Sequence, residues 1–232
     1  MNLTVDIGNT AVKWATFEGS SLMENGEWKA ESGGWKAENF EQALACASGT
    51  LPKALTGIPL LTADTPLPIR LDYKTPKTLG ADRIAAACGA WALHRGEDCL
   101  VIDAGTCITV DFLDHDGVYH GGAIMPGIRM NLQALHTFTA KLPLIEIDPG
   151  HKAPVLGRST EESIVAGTMG ATMLALAGYV ALYRQKSPAL HVLLTGGDAA
   201  LLAQAGTAGW EQVPMLTFTG LNEILLHNGE QK

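Results

Sequence analysis

The chain has 232 residues, enough for one large or two small domains with real cores. Its 24 acidic and 16 basic residues leave a net charge of -8 with no Lys/Arg run, which argues against a nucleic-acid partner. Hydrophobic content of 47% against 17% charged residues describes a well-packed soluble protein, and four cysteines (Cys46, Cys88, Cys99, Cys107) without Cys-x-x-Cys spacing argue against a zinc site and a disulfide framework.

In chain order, Leu3-Thr4-Val5-Asp6-Ile7-Gly8-Asn9-Thr10 is a β-branched run ending in Asp-x-Gly, and a second strand-like run, Ala11 to Phe17, follows it. This predicts a β-hairpin with an aspartate at the entry of a glycine turn. The N-terminus has no basic segment leading into an apolar stretch, so no signal peptide is expected, and a reducing cytoplasm fits the free thiols. Residues 20–50 are acidic and carry Trp28 and Trp35, with a helix predicted over Asn39–Ala47. Prolines 52, 59, 66, 68 and 76 break the next stretch into loops and short strands, with Ile58–Ala63 as a candidate strand.

Gly80-Ala81-Asp82-Arg83 then opens an Ala-rich helix, Ile84 to His94, which Gly96-Glu97-Asp98 ends. Leu100-Val101-Ile102-Asp103-Ala104-Gly105-Thr106 repeats the first turn motif, and Cys107 to Phe112 completes a second hairpin. A strand is predicted over Val118–Met125, and Pro126-Gly127 starts a helix near Ile128–Thr137. Lys152–Thr160 reads as a loop. Ser163 to Tyr183 contains no charged residue and is long enough for a membrane span. Its small residues, Gly167, Gly170 and Gly178 among them, instead suit a helix packed against a sheet or a partner subunit, and no membrane topology is expected. Ala189–Thr195 is a strand, Gly196-Gly197-Asp198-Ala199 opens a helix, and Leu221–His227 closes the chain. The order predicts a mixed α/β fold with an internal duplication, divided near Gly96 into halves that enclose a cleft.

Two acidic hairpins can clamp a metal–polyphosphate from both sides. Glycine lets the backbone approach phosphate, threonine offers a hydroxyl and an N–H, and aspartate holds the cation. Either copy alone is more readily an ordinary Asp-Gly or Asn-Thr turn; the repetition favours the phosphate reading. No GxxxxGK[ST] loop occurs, and no GxGxxG follows a strand. Thr195-Gly196-Gly197-Asp198 supplies a third glycine turn, against which a base or ribose can lie.

These three elements in this order resemble the actin–hexokinase–Hsp70 ATPase superfamily. The resemblance implies an α/β fold of duplicated ribonuclease-H-like (actin-like ATPase) domains, with mixed sheets flanked by helices. Residues 1–96 would form the half with the first phosphate loop, and 97–232 the half with the second phosphate loop and the adenosine turn. Asp6-Ile7-Gly8-Asn9-Thr10, Gly80-Ala81-Asp82-Arg83, Asp103-Ala104-Gly105-Thr106 and Gly121-Gly122-Ala123-Ile124-Met125-Pro126-Gly127 together resemble the motif set of type III pantothenate kinases. That resemblance runs from residue 2 to the C-terminal helix and is weakest over residues 20–70.

It implies ATP-dependent phosphorylation of the primary hydroxyl of pantothenate, the first step towards coenzyme A. It also implies a homodimer, Mg2+ with the ATP, and a requirement for K+ or NH4+. By the same resemblance Asp6, Ile7, Gly8, Asn9, Thr10, Ala11, Val12 and Lys13 form the first phosphate loop, and Thr106 touches ATP. Asp82 is the general base and Asp103 holds the monovalent cation. Tyr73, Gly80, Ala81, Asp82, Arg83 and Thr160 contact pantothenate.

The chemistry of these side chains agrees with such roles. Phosphoryl transfer is mostly positioning and charge neutralisation, which carboxylates, a cation and backbone N–H groups supply. Asp82 at a helix start is also a good N-cap. The Arg83 fork suits the carboxylate of pantothenate or an ion pair within the protein. Lys13 reaches phosphate or faces solvent. A different class of function stays open beside the kinase: a non-catalytic accessory or regulatory protein that retained the fold. Intact Asp6, Asp82 and Asp103 speak against lost catalysis.

Overall fold

The computed structural model describes residues 1–8, 11–29, 39–50, 52–55, 57–148, 150–203 and 209–230. Trp35, Asn9 and Thr10 lie outside the described residues. The chain forms two compact units: 1–96, 113–121 and 215–232 in the first, and 97–112 and 122–214 in the second. Chain order alone would place the 113–121 and 215–232 segments in the second half.

In the first unit, β1 (Asn2–Ile7) and β2 (Val12–Glu18) form the expected antiparallel hairpin, with Asp6 opposite Lys13. β3 (Ser21–Trp28) pairs with β2, and β4 (Gln42–Ala47) pairs parallel with β1, giving the order β3-β2-β1-β4. Every β1 residue except Asp6 is buried, as befits a strand covered on both faces. The helix predicted over Asn39–Ala47 is therefore corrected to a strand from Gln42 onward. Ala, Leu and Gln favour helix intrinsically, but β1 offers a full row of backbone partners, and Leu44, Ala45 and Cys46 are buried against it. The strand expected over Ile58–Ala63 is corrected too. The segment makes one bridge, Leu60 to Ala45, flanked by the Ala45 N–H donating to the Pro59 carbonyl and the Leu61 N–H donating to the Ala45 carbonyl. β3 leaves no mark in the sequence because its side chains are mostly exposed on both faces, with Leu22 and Met23 among them, so no alternation of apolar and polar residues appears.

α1 (Ala81–Leu93) and α6 (Leu216–Gly229) cross at backbone contact. A side chain at Gly220 would collide with the Ala85 carbonyl, and one at Gly89 with the Leu216 carbonyl. Two glycines thus let the helices approach more closely than side chains allow. Gly220→Ala is expected to destabilise the protein by about 1–3 kcal/mol, because overpacking here outweighs the better helix propensity of alanine. Thermal melting should show a Tm lower by about 2–4 °C per kcal/mol, and an unchanged Tm would refute the close packing.

The second unit is built on β6 (Cys99–Ala104), β7 (Cys107–Leu113) and β8 (Val118–Pro126). β9 (His191–Thr195) runs parallel to β6 with Asp103 opposite Thr195, and β10 (Glu211–Gln212) follows, in the order β10-β9-β6-β7-β8. The tip of the β7–β8 hairpin, 113–121, belongs to the first unit, where β5 (Arg70–Leu71) pairs parallel with Val118 and Tyr119. Cys46, Cys88 and Cys99 are buried thiols as expected, whereas Cys107, the first residue of β7 after the turn, is exposed.

α2 (Ile128–Thr137) follows the Pro126-Gly127 turn. α3 (Thr160–Val165), a π-helical turn (Ala166–Gly170) and α4 (Ala171–Lys186) make one continuous 27-residue helix, long and apolar enough to cross a membrane. One of its faces, with Ile164, Val165, Met169, Leu176 and Val180, is buried in the core beside Leu100, Ile102 and Val192. Its other face, with Gly167, Ala171, Leu174, Ala175, Gly178 and Leu182, is exposed. Burial of the helix is thus one-sided. α5 (Ala199–Ala203) packs on the same core.

Candidate active site

In the first unit the Asp6 hairpin closes tightly: the Gly8 N–H donates to the Ala11 carbonyl at 3.0 Å. The half-buried Asp6 carboxylate accepts a hydrogen bond from the Cys46 thiol at 3.3 Å. Burial pushes the Asp6 carboxyl above its ordinary value; the Cys46 hydrogen bond opposes this, the charge of Asp82 adds to it, and Lys13 opposes it. Asp6, Lys13 and Asp82 therefore share one electrostatic neighbourhood, although Asp6 and Asp82 are 76 residues apart in sequence (82 minus 6). Ile7 is buried, Ala11 and Val12 are half-buried, and Lys13 is exposed.

Gly80, not Asp82, occupies the N-cap of α1, and Asp82 is the second helical residue. Its Oδ1 accepts the Arg83 N–H at 2.9 Å and lies over Gly80, where any side chain would collide with it. The carboxylate thus answers one of the unpaired N–H groups of the first turn while remaining half-exposed. Arg83 is 7% exposed, which takes it off the protein surface. Tyr73 stands over Gly121. That glycine has φ +85°, and a Cβ on it would come within 3.0 Å of the Tyr73 ring. Tyr119 flanks Tyr73 with ring centroids 6.1 Å apart.

In the second unit, Asp103 is the penultimate residue of β6, beside the glycine turn that follows β9. Gly196 has φ +95°, and a side chain there would run into the Asp103 carboxylate and the Ala104 carbonyl. The Asp198 N–H donates to the Ala104 carbonyl at 2.8 Å. The second phosphate-loop candidate and the third glycine turn are thus one packed unit. Gly127 presses on the Asp103-Ala104-Gly105-Thr106 turn as well. Its N–H donates to the Thr106 carbonyl at 3.0 Å, and a side chain on it would strike the Gly105 carbonyl. Thr106 itself is exposed.

Arg129, which sequence reading passed over, reaches Asp198 at 3.3 Å and puts a cation beside this turn. Its signal was its place in the first turn after Gly127. Thr160 is the first residue of α3, after a Ser159 cap whose hydroxyl accepts the Glu162 N–H, while the Glu162 carboxylate accepts the Arg158 N–H. It lines an open cleft of about 790 Å³ with Leu135, Leu142, Arg158, Ser163 and Gly167.

The structure thus groups Asp6, Lys13 and Asp82 in one unit, which also carries Tyr73, packed on Gly121 and Tyr119. It groups Asp103, Thr106 and Gly196 in the other unit, where Thr160 stands in its own cleft. Asp6 offers hard oxygen donors in the field of Asp82, and a cation bound there would offset the burial and repulsion that raise its carboxyl. That donor chemistry fits Mg2+.

The sequence profile of the type III pantothenate kinase family matches residues 50–182. A type III pantothenate kinase from Bacteroides fragilis is 38% identical over 241 aligned positions, covering 98% of each chain. Among solved structures, one from Campylobacter jejuni, described as a conserved Baf family transcriptional activator, superposes with a TM-score of 0.67 at 20% identity over 98% of this chain and 99% of that one. The activator of 2-hydroxyisocaproyl-CoA dehydratase from Clostridium difficile gives 0.55 at 14% identity over 99% and 96%. These likenesses show the fold, an α/β architecture of the actin-like ATPase kind with mixed sheets flanked by helices.

Proposed function

The chain belongs to the type III pantothenate kinase family, and on that premise we propose that it transfers the γ-phosphoryl group of ATP to the primary hydroxyl of pantothenate, with Asp82 as the base. The observation that carries the assignment is the Asp6–Asp82 neighbourhood, in which one carboxylate stays half-exposed at a helix start while the other sits half-buried under a thiol.

Asp82 takes the proton of the attacking hydroxyl. The Asp6–Lys13 hairpin, Asn9 and Thr10 included, receives the phosphates, with Gly8 allowing the chain to approach them. Thr106 touches the nucleotide, and Tyr73, Gly80, Ala81, Arg83 and Thr160 hold pantothenate. Mg2+ held through Asp6 would neutralise charge on the transferred phosphoryl group. Asp103, at the packed junction of two glycine turns, is the ligand for K+ or NH4+.

A second copy of the chain covers the exposed face of α4. Support comes from its small residues and from the apolar side chains exposed around it in the same unit, including Phe138 (85% exposed), Val155, Leu156, Leu174 and Leu182. The homodimer works in the cytoplasm on a small molecule, without nucleic acid or membrane. The accessory-protein reading is not favoured, since relatives 34–38% identical over 98% of this chain are kinases by name.

A coupled ADP-release assay with ATP, Mg2+ and pantothenate tests the proposal. Pantothenate-dependent turnover is expected in potassium and a large loss of it in sodium. No turnover in either salt, from folded protein, would refute the kinase. Equal turnover in both would refute the role of Asp103.

A further inference from the structure

His120 is used by none of the roles above, yet it stands between two carboxylates. Its Nε2 lies 2.6 Å from Oδ2 of Asp114, and its Nδ1 lies 3.4 Å from Oδ2 of Asp72. Asp114 is firmly built into the β7–β8 turn, where it also accepts the N–H groups of Asp116 at 3.0 Å and Val118 at 2.9 Å. Asp72 belongs to the other side of the contact. It follows β5, which is only two residues long, and its own N–H donates to the Tyr119 carbonyl at 2.9 Å. The next residue is Tyr73, whose ring rests on Gly121. His120 thus ties the segment that carries Tyr73 to the hairpin.

An imidazole can donate to two carboxylates only when both nitrogens carry hydrogen, that is, as imidazolium. As neutral imidazole donating to Asp114, it turns the Nδ1 lone pair towards Asp72, and attraction becomes repulsion. Burial raises the Asp114 carboxyl, but hydrogen bonds from His120, Val118 and Asp116 outweigh it and hold the group below its ordinary value. That partner stays ionised throughout the neutral range. The other titratable or charged groups on these segments are Arg70, Tyr73 and Lys74 beside Asp72, Tyr119 beside His120, and His115 and Asp116, 3.9 Å from each other in the turn.

We propose that His120 is a positioning residue: protonated, it clamps Asp72 to Asp114 and so holds Tyr73 for pantothenate, and deprotonated, it releases that segment. The inference rests on the pantothenate reading, because Tyr73 borders the substrate there. Its signature is a pantothenate KM that rises with pH in the wild type, while kcat and the ATP KM follow a separate profile.

The test compares wild type with His120→Gln and Asp72→Asn from about pH 6 to about pH 9. Glutamine can still donate to Asp114 but never carries charge. At the acid end, each variant should raise the pantothenate KM about two- to fivefold, the size expected of a partly exposed charged pair. The ATP KM should stay level, and the double variant should add nothing. His120→Gln should also flatten the pH dependence of KM. Hydrogen exchange at the Asp72 amide, which donates to the Tyr119 carbonyl, provides a readout without substrate: protection should fall at high pH in the wild type and be low at all pH in His120→Gln. A KM profile in His120→Gln that follows the wild type, or an equal rise in the ATP KM, overturns the clamp. If wild type does not turn over pantothenate, the substrate role falls with that reading, and the exchange data alone decide the clamp: equal protection in the two proteins overturns it.

Discussion

Asp82→Asn is expected to lower kcat by about 10²–10⁴-fold, the range supplied by a positioned general base. The side chain accepts the Arg83 N–H through Oδ1 and otherwise stands half-exposed at the start of α1. Asparagine keeps that acceptor, so the helix start and the fold should survive with little change in Tm. It cannot take a proton from a hydroxyl. ATP affinity, measured by calorimetry, should change little, because the phosphate-loop candidates lie on other segments. Removing the negative charge also removes repulsion from Asp6. Steady-state kinetics with a parallel melt decides the matter. A variant that is folded and retains a tenth or more of wild-type kcat would exclude Asp82 as the base.

Asp6→Asn is expected to abolish most turnover while making the metal-free protein more stable at neutral pH. The activity loss, about 10²-fold or more, follows from removing a cation ligand at a centre that works by charge neutralisation. The stability gain follows from the raised Asp6 carboxyl. Burial disfavours its charged form, and Asp82 adds repulsion that the Cys46 hydrogen bond and Lys13 oppose without cancelling.

A carboxyl raised in the folded state contributes stability that is fully present below its unfolded value and is lost as pH rises through the folded one. Above that window wild-type Asp6 is ionised at a cost, and asparagine escapes it. Below the window Asp6 is neutral, and the two proteins converge. Melting curves in chelator at neutral pH should show Tm higher by about 2–4 °C for each kcal/mol recovered. The difference should shrink as pH falls below the ordinary carboxylate range. Chelation matters because a bound cation would stabilise the wild type alone. A variant less stable than wild type at neutral pH would show that the Asp6 charge is held by more than the contacts described above.

The residues themselves explain how much was legible beforehand. The two Asp-x-Gly hairpins could be read because β1 and β6 are strongly apolar and β-branched, and each ends in residues that allow a single kind of turn. α1 was legible from its Ala-rich run after Gly80, and α2 from the Pro126-Gly127 turn before it. β4 was misread because its composition favours helix, and only the unpaired edge of β1 makes it a strand. β3 was missed because an exposed strand leaves no periodic mark. The site residues were legible as motifs, but their grouping was not. Nothing local tells that Cys46 donates to Asp6, that Arg129 meets Asp198, or that His120 lies between Asp72 and Asp114.

The order of residues settles the chemistry available to this protein: which carboxylates stand near strand ends, where glycine permits close approach, and the family to which those motifs belong. Local backbone preference and side-chain type are properties of a few neighbouring residues, so they can be read in order. Which of those groups meet is set by the packing of distant segments. It set Asp6 within reach of Asp82, seated Asp103 against Gly196, and folded the 215–232 segment onto the first unit. Those outcomes depend on strand pairing and helix packing between distant segments, where burial and backbone hydrogen bonding outweigh local preference.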